Sequence, residues 1–313
     1  MEFIRNLHNF RDRHRGCVAT IGNFDGVHLG HQSIIRQLKA AAGVHGLPTV
    51  IVTFEPHPQE FFAPEKAPAR LMRLREKLAC LKQHGIDRVV CLRFDHSLAN
   101  LSAGDFIRKI LVDKLGVRHL IVGDDFRFGK NRQGDIATLK AFAQQSGFEV
   151  EHTDTCIING RRVSSTWLRE LLAAGKMTEA AELLGRPYTI SGRVVHGDKR
   201  GRGLGYPTIN INLHRHQSPV AGIFAANVYG LNPEVIPAAV SIGSRPVFEG
   251  RDTNLEAHLL DFDREVYGAY VTVELLKQLR HEEKFGHIDD LKAQMDRDIA
   301  EIRKFFRESK IKM

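Results

Sequence analysis

The sequence has no apolar run near the roughly 18 residues that a membrane-spanning helix needs, so a soluble chain is expected. Its four cysteines (Cys17, Cys80, Cys91 and Cys156) show no CxxC spacing. Their scatter argues against a structural zinc and for reduced cytosolic thiols. No block of five or more Lys/Arg occurs, so a basic tail is excluded. Aromatic residues are only 8% of the chain and are not interleaved with a basic face, which weighs against nucleic-acid binding. Internal repeats, low-complexity segments, a Walker A loop and the GxGxxG spacing are all missing. The opening Met1-Glu2-Phe3-Ile4-Arg5 contains an acid and leads into no long apolar stretch, unlike a signal peptide. The expected location is cytoplasmic, with no membrane partner.

What is present is an ordinary globular composition, 42% hydrophobic and 26% charged over 313 residues. That length suits two domains. Lys and Arg number 45 against 37 Asp and Glu, giving 45 − 37 = +8. A basic balance suits anionic ligands: nucleotides and pyrophosphate, or nucleic acid.

The first half alternates strand and helix patterns. Short β-branched runs at 18–21, 49–54, 88–92 and 119–123 predict strands, and the spacing predicts helices at 30–42 and 71–84. Ser102 followed three residues later by Asp105 predicts a helix start. This rhythm argues for a parallel α/β sheet with its ligand beyond the C-terminal strand ends. Near residue 185 the texture changes. The helical stretch 168–184 stops at Gly185-Arg186-Pro187. Six short runs follow without helices between them: 190–195, 209–212, 223–229, 238–242, 255–260 and 270–275. They predict a small antiparallel barrel. A closing helix over 288–306 carries the stripe Leu291, Met295, Ile299, Ile302 and Phe306. The expected domains are residues 1–185 and 186–313.

Two stretches concentrate chemistry. Gly22-Asn23-Phe24-Asp25-Gly26-Val27-His28-Leu29-Gly30-His31 follows the first strand and opens the first helix. A helix N-terminus offers free N–H groups to phosphate, and glycines let the backbone approach it. Two histidines three apart can stabilise charge on an attacked phosphoryl group; a lone His-x-x-His in a tight turn would carry no such meaning. Asp124, Asp125, Phe126 and Phe128 follow the fourth strand, where a sheet ligand would lie. Ser164, Ser165 and Thr166 can cap a helix, and Arg169 can reach phosphate. Phe54-Glu55-Pro56-His57-Pro58 serves either as a rigid turn or as a substrate wall.

The second stretch runs from Gly192 to Asn210. Its glycines at 197, 201, 203 and 205, with Lys199, Arg200 and Arg202, form either a solvated hairpin or a polyphosphate loop. Thr208 and Asn210 share one strand face and offer two neutral oxygens to Mg²⁺. Glu256 sits in an apolar strand; it is either solvent-facing or a general base for a hydroxyl nucleophile. By alternation His258 shares its face, and Leu255, Ala257 and Leu259 take the other.

The decapeptide resembles the GxFDxxHxGH signature of the nucleotidyltransferase superfamily. Residues 163–169 are similar to its ISSTxxR segment, with Val163 for Ile. The second half resembles riboflavin kinase, through Pro207-Thr208-Ile209-Asn210, Pro219 to Ala225, and Leu255 to Gly268. Val247 stands where that family usually has Thr, which removes a hydroxyl from the flavin side. Together the halves resemble bifunctional bacterial FAD synthetase. The resemblance implies an α/β nucleotidyltransferase (Rossmann-like, HxGH) domain followed by a small antiparallel β-barrel kinase domain with a C-terminal helix. It implies ATP contacts at Gly22, Asn23, Phe24, Asp25, His28, Gly30, His31, Ser164, Ser165, Thr166 and Arg169. It implies FMN contacts at Phe54, His57, Asp124, Asp125, Phe126 and Phe128. In the kinase it implies ATP contacts at Gly201, Arg202, Leu204, Gly205, Pro207, Thr208 and Asn210, with Mg²⁺ on the last two of these. Flavin contacts fall at Arg280, Glu282 and Phe285, and the catalytic groups are His28, His31 and Glu256. Riboflavin, FMN, FAD and ATP are the implied small molecules, with Mg²⁺ as cofactor and a monomer or weak oligomer as the assembly. Two other readings compete: a different adenylyltransferase, for a nicotinate nucleotide or phosphopantetheine, and a basic RNA-binding protein.

Overall fold

The computed structural model describes residues 1–153, 155–197, 205–213, 215, 217–247 and 250–311, with backbone only at 244–247, 250–252 and 309–311. The chain divides into two compact units, Met1–Pro68 with Met72–Ser164, and Ala69–Leu71 with Ser165–Met313.

The first unit is built on a six-stranded parallel sheet. Its strands are β1 (Glu2–Arg5), β2 (Cys17–Ile21), β3 (Thr49–Glu55), β4 (Arg88–Arg93), β5 (Val117–Gly123) and β6 (Glu149–Thr153). They lie in the order β1-β4-β3-β2-β5-β6. The four expected strands form its centre. The edges β1 and β6 were not signalled by hydropathy, and Glu149-Val150-Glu151-His152-Thr153 is largely exposed. After β2 the chain steps to β3 and β4 on one side, then returns to β5 on the other. The C-terminal end of β2 is therefore a topological switch point, where ligands of open α/β sheets bind.

Helices cover both faces. They are α1 (Leu29–His45), α2 (Pro58–Phe62), α3 (Leu74–Gln83), α4 (His96–Ala99), α5 (Ala103–Phe106, continuing as a π-helix over Ile107–Lys114) and α6 (Ile136–Ser146). One core packs Ile35 and Leu38 of α1 and Leu81 of α3 against Ile51, Val89 and Ile121 of the sheet. The other packs Phe106, Ile110 and Leu139 against the opposite face. Ser102 caps α5 by accepting the Asp105 N–H at 3.0 Å, as its spacing predicts.

A small hairpin, β7 (Ile157–Ile158) with β8 (Arg161–Arg162), closes the first unit. The second holds α7 (Ser165–Ala173), α8 (Met177–Leu184) and six antiparallel strands. These are β9 (Tyr188–Val195), β10 (Thr208–Asn212), β11 (Gly222–Tyr229), β12 (Ile236–Val247), β13 (Gly250–Leu259) and β14 (Tyr270–Arg280). They close in the order β10-β13-β12-β11-β14-β9. Alternation fills the interior with Ile190, Ile211, Phe224, Val240, Leu255 and Val273, all fully buried. The terminal helix α9 (Ile288–Ile311) lays Ile299, Ile302 and Phe306 against Ala225, Ala239 and Leu260. Among the described residues no helix is long and apolar enough to cross a membrane. All four cysteines are free thiols, and burial pushes Cys17 up to about 12.

Candidate functional site

The Gly22–His31 loop occupies the switch point. It leaves β2 with the Gly22 N–H bonded to the Val52 carbonyl, 3.0 Å. Phe24, Gly26 and Val27 all take positive φ, at 48°, 87° and 44°. For a β-branched residue such as Val27 that is a strained conformation, of the kind that clusters at functional sites. Buried packing enforces it, because Phe24 and Val27 are in the core. Asp25 is buried as well, and its Oδ1 accepts the Met72 N–H at 3.0 Å. Asp25 therefore braces the loop.

His28 caps α1. Its Nδ1 accepts the His31 N–H at 3.4 Å, and the two imidazoles stack 3.8 Å apart at 17°. Phe24 lies on the other side of His31 at 4.8 Å. His31 is partly buried, and its Nδ1, itself buried, has no hydrogen-bond partner among the described residues. Burial, with lesser electrostatic contributions from His28 and Lys77, holds the His31 imidazole well below its usual range. The Oδ1 of Asn23 is a second buried polar atom without a partner among the described residues. Unsatisfied buried polar groups are rare, and here they adjoin the N-terminus of α1, whose free N–H groups are the part of the loop suited to an anion.

Asp124 and Asp125 follow β5 at the same edge of the sheet. Asp124 accepts from Thr155 Oγ1 at 2.5 Å, and Arg162 spans both carboxylates at 3.1 and 2.8 Å. The Thr155 hydroxyl first, then Arg162, lower the Asp124 pKa. Phe126 stacks on Phe128 at 5.4 Å, but Phe128 is buried in the core against Phe106. Phe54 and His57 stand at the end of β3, with His57 capping α2. Here the structure adds residues that sequence reasoning missed: Phe61, Phe62 and Phe94 form an edge-to-face cluster with Phe54, and Phe62 is 67% exposed. The adjacent pair Phe61-Phe62 behind a proline loop was the available signal.

Ser164 ends the first unit, while Ser165, Thr166 and Arg169 lie on α7 in the second. Arg169 Nε donates to the Ala69 carbonyl at 2.6 Å.

On the barrel, the register sets Asn210 opposite Glu256 and Thr208 opposite His258. Leu255 and Ala257 point inward, so the four polar groups share the outer face. Asn210 Oδ1 accepts from Asn254 Nδ2 at 3.1 Å, which fixes the amide. His258 Nδ1–H donates to the Pro207 carbonyl at 2.9 Å and holds the approach to Thr208. A Cβ at Gly197 would overlap the Asn210 side chain, so glycine is needed there. Hard oxygens from Thr208 and Asn210 beside a carboxylate fit Mg²⁺, which takes few protein ligands and completes its shell with phosphate and water. Gly205 has a positive φ of 91°. Lys199, Arg200, Gly201, Arg202, Gly203 and Leu204, and the side chain of Val247, lie outside the described residues.

Arg280 is committed to α9. Its Nε and Nη2 meet the Asp298 carboxylate at 2.8–3.2 Å, and its guanidinium lies 5.9 Å from the Phe285 ring centroid. Glu282 accepts from Ser241 Oγ at 3.3 Å; Ser241 pairs with Glu256 across β12 and β13.

Two family models match, FAD synthetase over residues 10–167 and riboflavin kinase over residues 184–306. The bifunctional riboflavin kinase/FMN adenylyltransferase of Escherichia coli (strain K12) is 47% identical, covering 98% of both chains. The protein of that name from Haemophilus influenzae is 44% identical, over 98% of this chain and 99% of its own. A crystal structure titled as a macrolide-efflux protein from Streptococcus pneumoniae superposes with a TM-score of 0.82 at 29% identity, covering 97% of this chain and 99% of that one. Matched in both halves and along its length, the chain belongs to the bifunctional riboflavin kinase/FMN adenylyltransferase family.

Proposed function

We propose that the chain makes FAD from riboflavin in two ATP-dependent transfers, one in each half. The observation that supports this most is that each matched half carries its own assembled polar site. Residues 1–185 are assigned adenylyl transfer and residues 186–313 the kinase.

In the kinase step the riboflavin 5′-hydroxyl attacks the ATP γ-phosphate and Glu256 takes its proton, giving FMN and ADP. Thr208 and Asn210 would hold Mg²⁺, which supplies charge neutralisation on the phosphates. Gly205 and Pro207, with Gly201, Arg202 and Leu204, line the ATP. Glu282 and Phe285 receive the flavin, and Arg280 positions that end through Asp298.

In the adenylyl step an FMN phosphate oxygen attacks the ATP α-phosphate and pyrophosphate leaves. His28 and His31 hydrogen-bond the developing charge, and the α1 N-terminus adds its dipole. Gly22, Asn23, Phe24, Asp25 and Gly30 shape the ATP loop, with Ser164, Ser165, Thr166 and Arg169 as its further contacts. Phe54, His57, Asp124, Asp125, Phe126 and Phe128 form the FMN side. Buried Phe128 acts there by supporting Phe126. The substrates are small molecules; the proposed state is a cytoplasmic monomer or weak oligomer without nucleic-acid or membrane partners. An adenylyltransferase for another nucleotide would leave the matched kinase half without a role.

Chromatography of flavins after incubation with riboflavin, ATP and Mg²⁺ tests the reading. FMN should appear first, then FAD. Glu256→Gln should abolish FMN formation yet convert supplied FMN to FAD, and His28→Ala should do the reverse. Unchanged riboflavin, or wild-type rates in both variants, would overturn the assignment.

A further inference from the structure

The N-terminal edge of the parallel sheet, away from the switch point, carries a cluster the two transfers do not use. His119 on β5, Glu149 on β6 and His45 at the end of α1 each place one ligand atom within 4.8 Å of the others. We propose that these three residues bind a divalent transition-metal ion of the Zn²⁺ class.

The donor set comes first. Two imidazoles and one carboxylate are borderline ligands that suit Zn²⁺, Co²⁺ or Ni²⁺ and not Mg²⁺. The register pairs His119 with Glu149, and His119 Nδ1 lies 3.0 Å from Glu149 Oε2. His45 Nε2 is 3.9 Å from the same oxygen, and its ring centroid is 5.4 Å from that of His119. Tetrahedral coordination at 2.0–2.1 Å needs donors about 3.3 Å apart. His45 must close on Glu149 by about 0.6 Å, and the widest pair by up to about 1.5 Å; the movement falls on His45 and Glu149, whose side chains are 27% and 68% exposed.

An outer shell is already built. The other nitrogen of His119, Nε2, lies 3.1 Å from Glu151 Oε2. Glu151 shares the face of Glu149 by strand alternation. A carboxylate behind a ligating histidine fixes its tautomer and raises its basicity, as outer-shell partners of metal sites do. With Nε2–H donated to Glu151, Nδ1 presents its lone pair towards Glu149 and His45. Position also favours a cation: His45 is the last residue of a 17-residue helix, at the negative end of its dipole. An open surface depression lined by His45, Arg118, Gln144 and Glu149 among others adjoins the cluster, so water can reach it. The competing arrangement is an imidazolium of His119 clamped between two glutamates, with no ion.

Titration of the full-length protein with Co²⁺, followed by its visible d–d absorption, tests the site. One ion per chain with the intense bands of tetrahedral Co²⁺ is expected, displaced by Zn²⁺. His45→Ala should weaken binding at least tenfold, and Glu151→Gln by about 10- to 100-fold although it removes no ligand. Both lie outside the transfer sites, so unchanged FAD formation and circular dichroism establish that the variants are folded. No bound Co²⁺ at micromolar concentrations would overturn the proposal in favour of the clamped imidazolium. Equal binding by wild type and His45→Ala would overturn it too, by placing the ion elsewhere.

Discussion

Gly30→Ala is the sharpest test of the stacked histidines. A Cβ at Gly30 would lie 3.1 Å from His28 Nδ1, 3.2 Å from its Cε1 and 3.4 Å from the Val163 carbonyl. Ordinary carbon contacts begin near 3.5 Å, so the imidazole must retreat by a few tenths of an ångström. It has little room to do so. On one side it is stacked on His31, which Phe24 backs in turn, and its Nδ1 is tied to the His31 N–H. The ring must rotate and lose that cap. The lost cap costs about 1 kcal/mol. Alanine in place of glycine near the start of a helix returns up to about 1 kcal/mol. The two nearly cancel, so stability should barely change.

Activity should change. Misplacing a catalytic group by about 1 Å costs roughly a hundredfold, so a few tenths should cost about tenfold in adenylyl transfer. The assay carries its own control, because both reactions run in one tube. FMN formation from riboflavin should stay at the wild-type rate while FAD formation from FMN falls about tenfold, with Tm unchanged. FAD formation within twofold of wild type would refute the reasoning: His28 would then not need the position the stack gives it. Equal losses in both reactions would refute it as well, since the push is local to α1.

The remaining predictions concern charge. Asp298→Ala strands the Arg280 guanidinium, whose side chain is only 17% exposed, and should destabilise the barrel by about 3 kcal/mol in urea titration; a loss under 1 kcal/mol would show that His281 and Phe285 hold Arg280 unaided. His31 is kept neutral when folded but binds a proton near pH 6.5 when unfolded, so the unfolded state holds more protons as pH falls. Stability from this group is complete above about pH 6.5 and declines below it, by up to about 1.4 kcal/mol per pH unit. His31→Gln should flatten the decline of the urea midpoint between pH 7 and 5.5, and an unchanged decline would sink the reading.

Local chemistry was legible in the sequence, and long-range pairing was not. The central strands announced themselves as β-branched runs because both their faces are buried. The barrel strands did so by alternation, and the observed β13 and β14 differ from expectation chiefly at their ends. The polar edge strand β6 carries no such signal: its hydrogen bonds to β5 supply what hydropathy does not. In the same way alternation alone put Thr208 with Asn210, and Glu256 with His258, each pair on one face of its strand. Only the register set Asn210 against Glu256.

The residues whose roles the structure altered are those that acquired distant partners. By resemblance Arg280 reads as a flavin contact; eighteen residues later Asp298 pairs with it and commits it to α9. Phe128 reads as a residue beside a sheet ligand after the fourth strand. Its bridge to Gly134 turns it inward, because a Cβ at Gly134 would meet that ring at 2.7 Å. His119 is the first residue of the fourth expected strand and carries no signal of its partners in the sequence. Its two carboxylates lie 30 and 32 residues on, and its companion imidazole lies 74 residues earlier. Each case has one cause. A side chain's chemistry is set by what satisfies its polar atoms, and a parallel sheet or a barrel recruits those partners from chain segments that no local window contains.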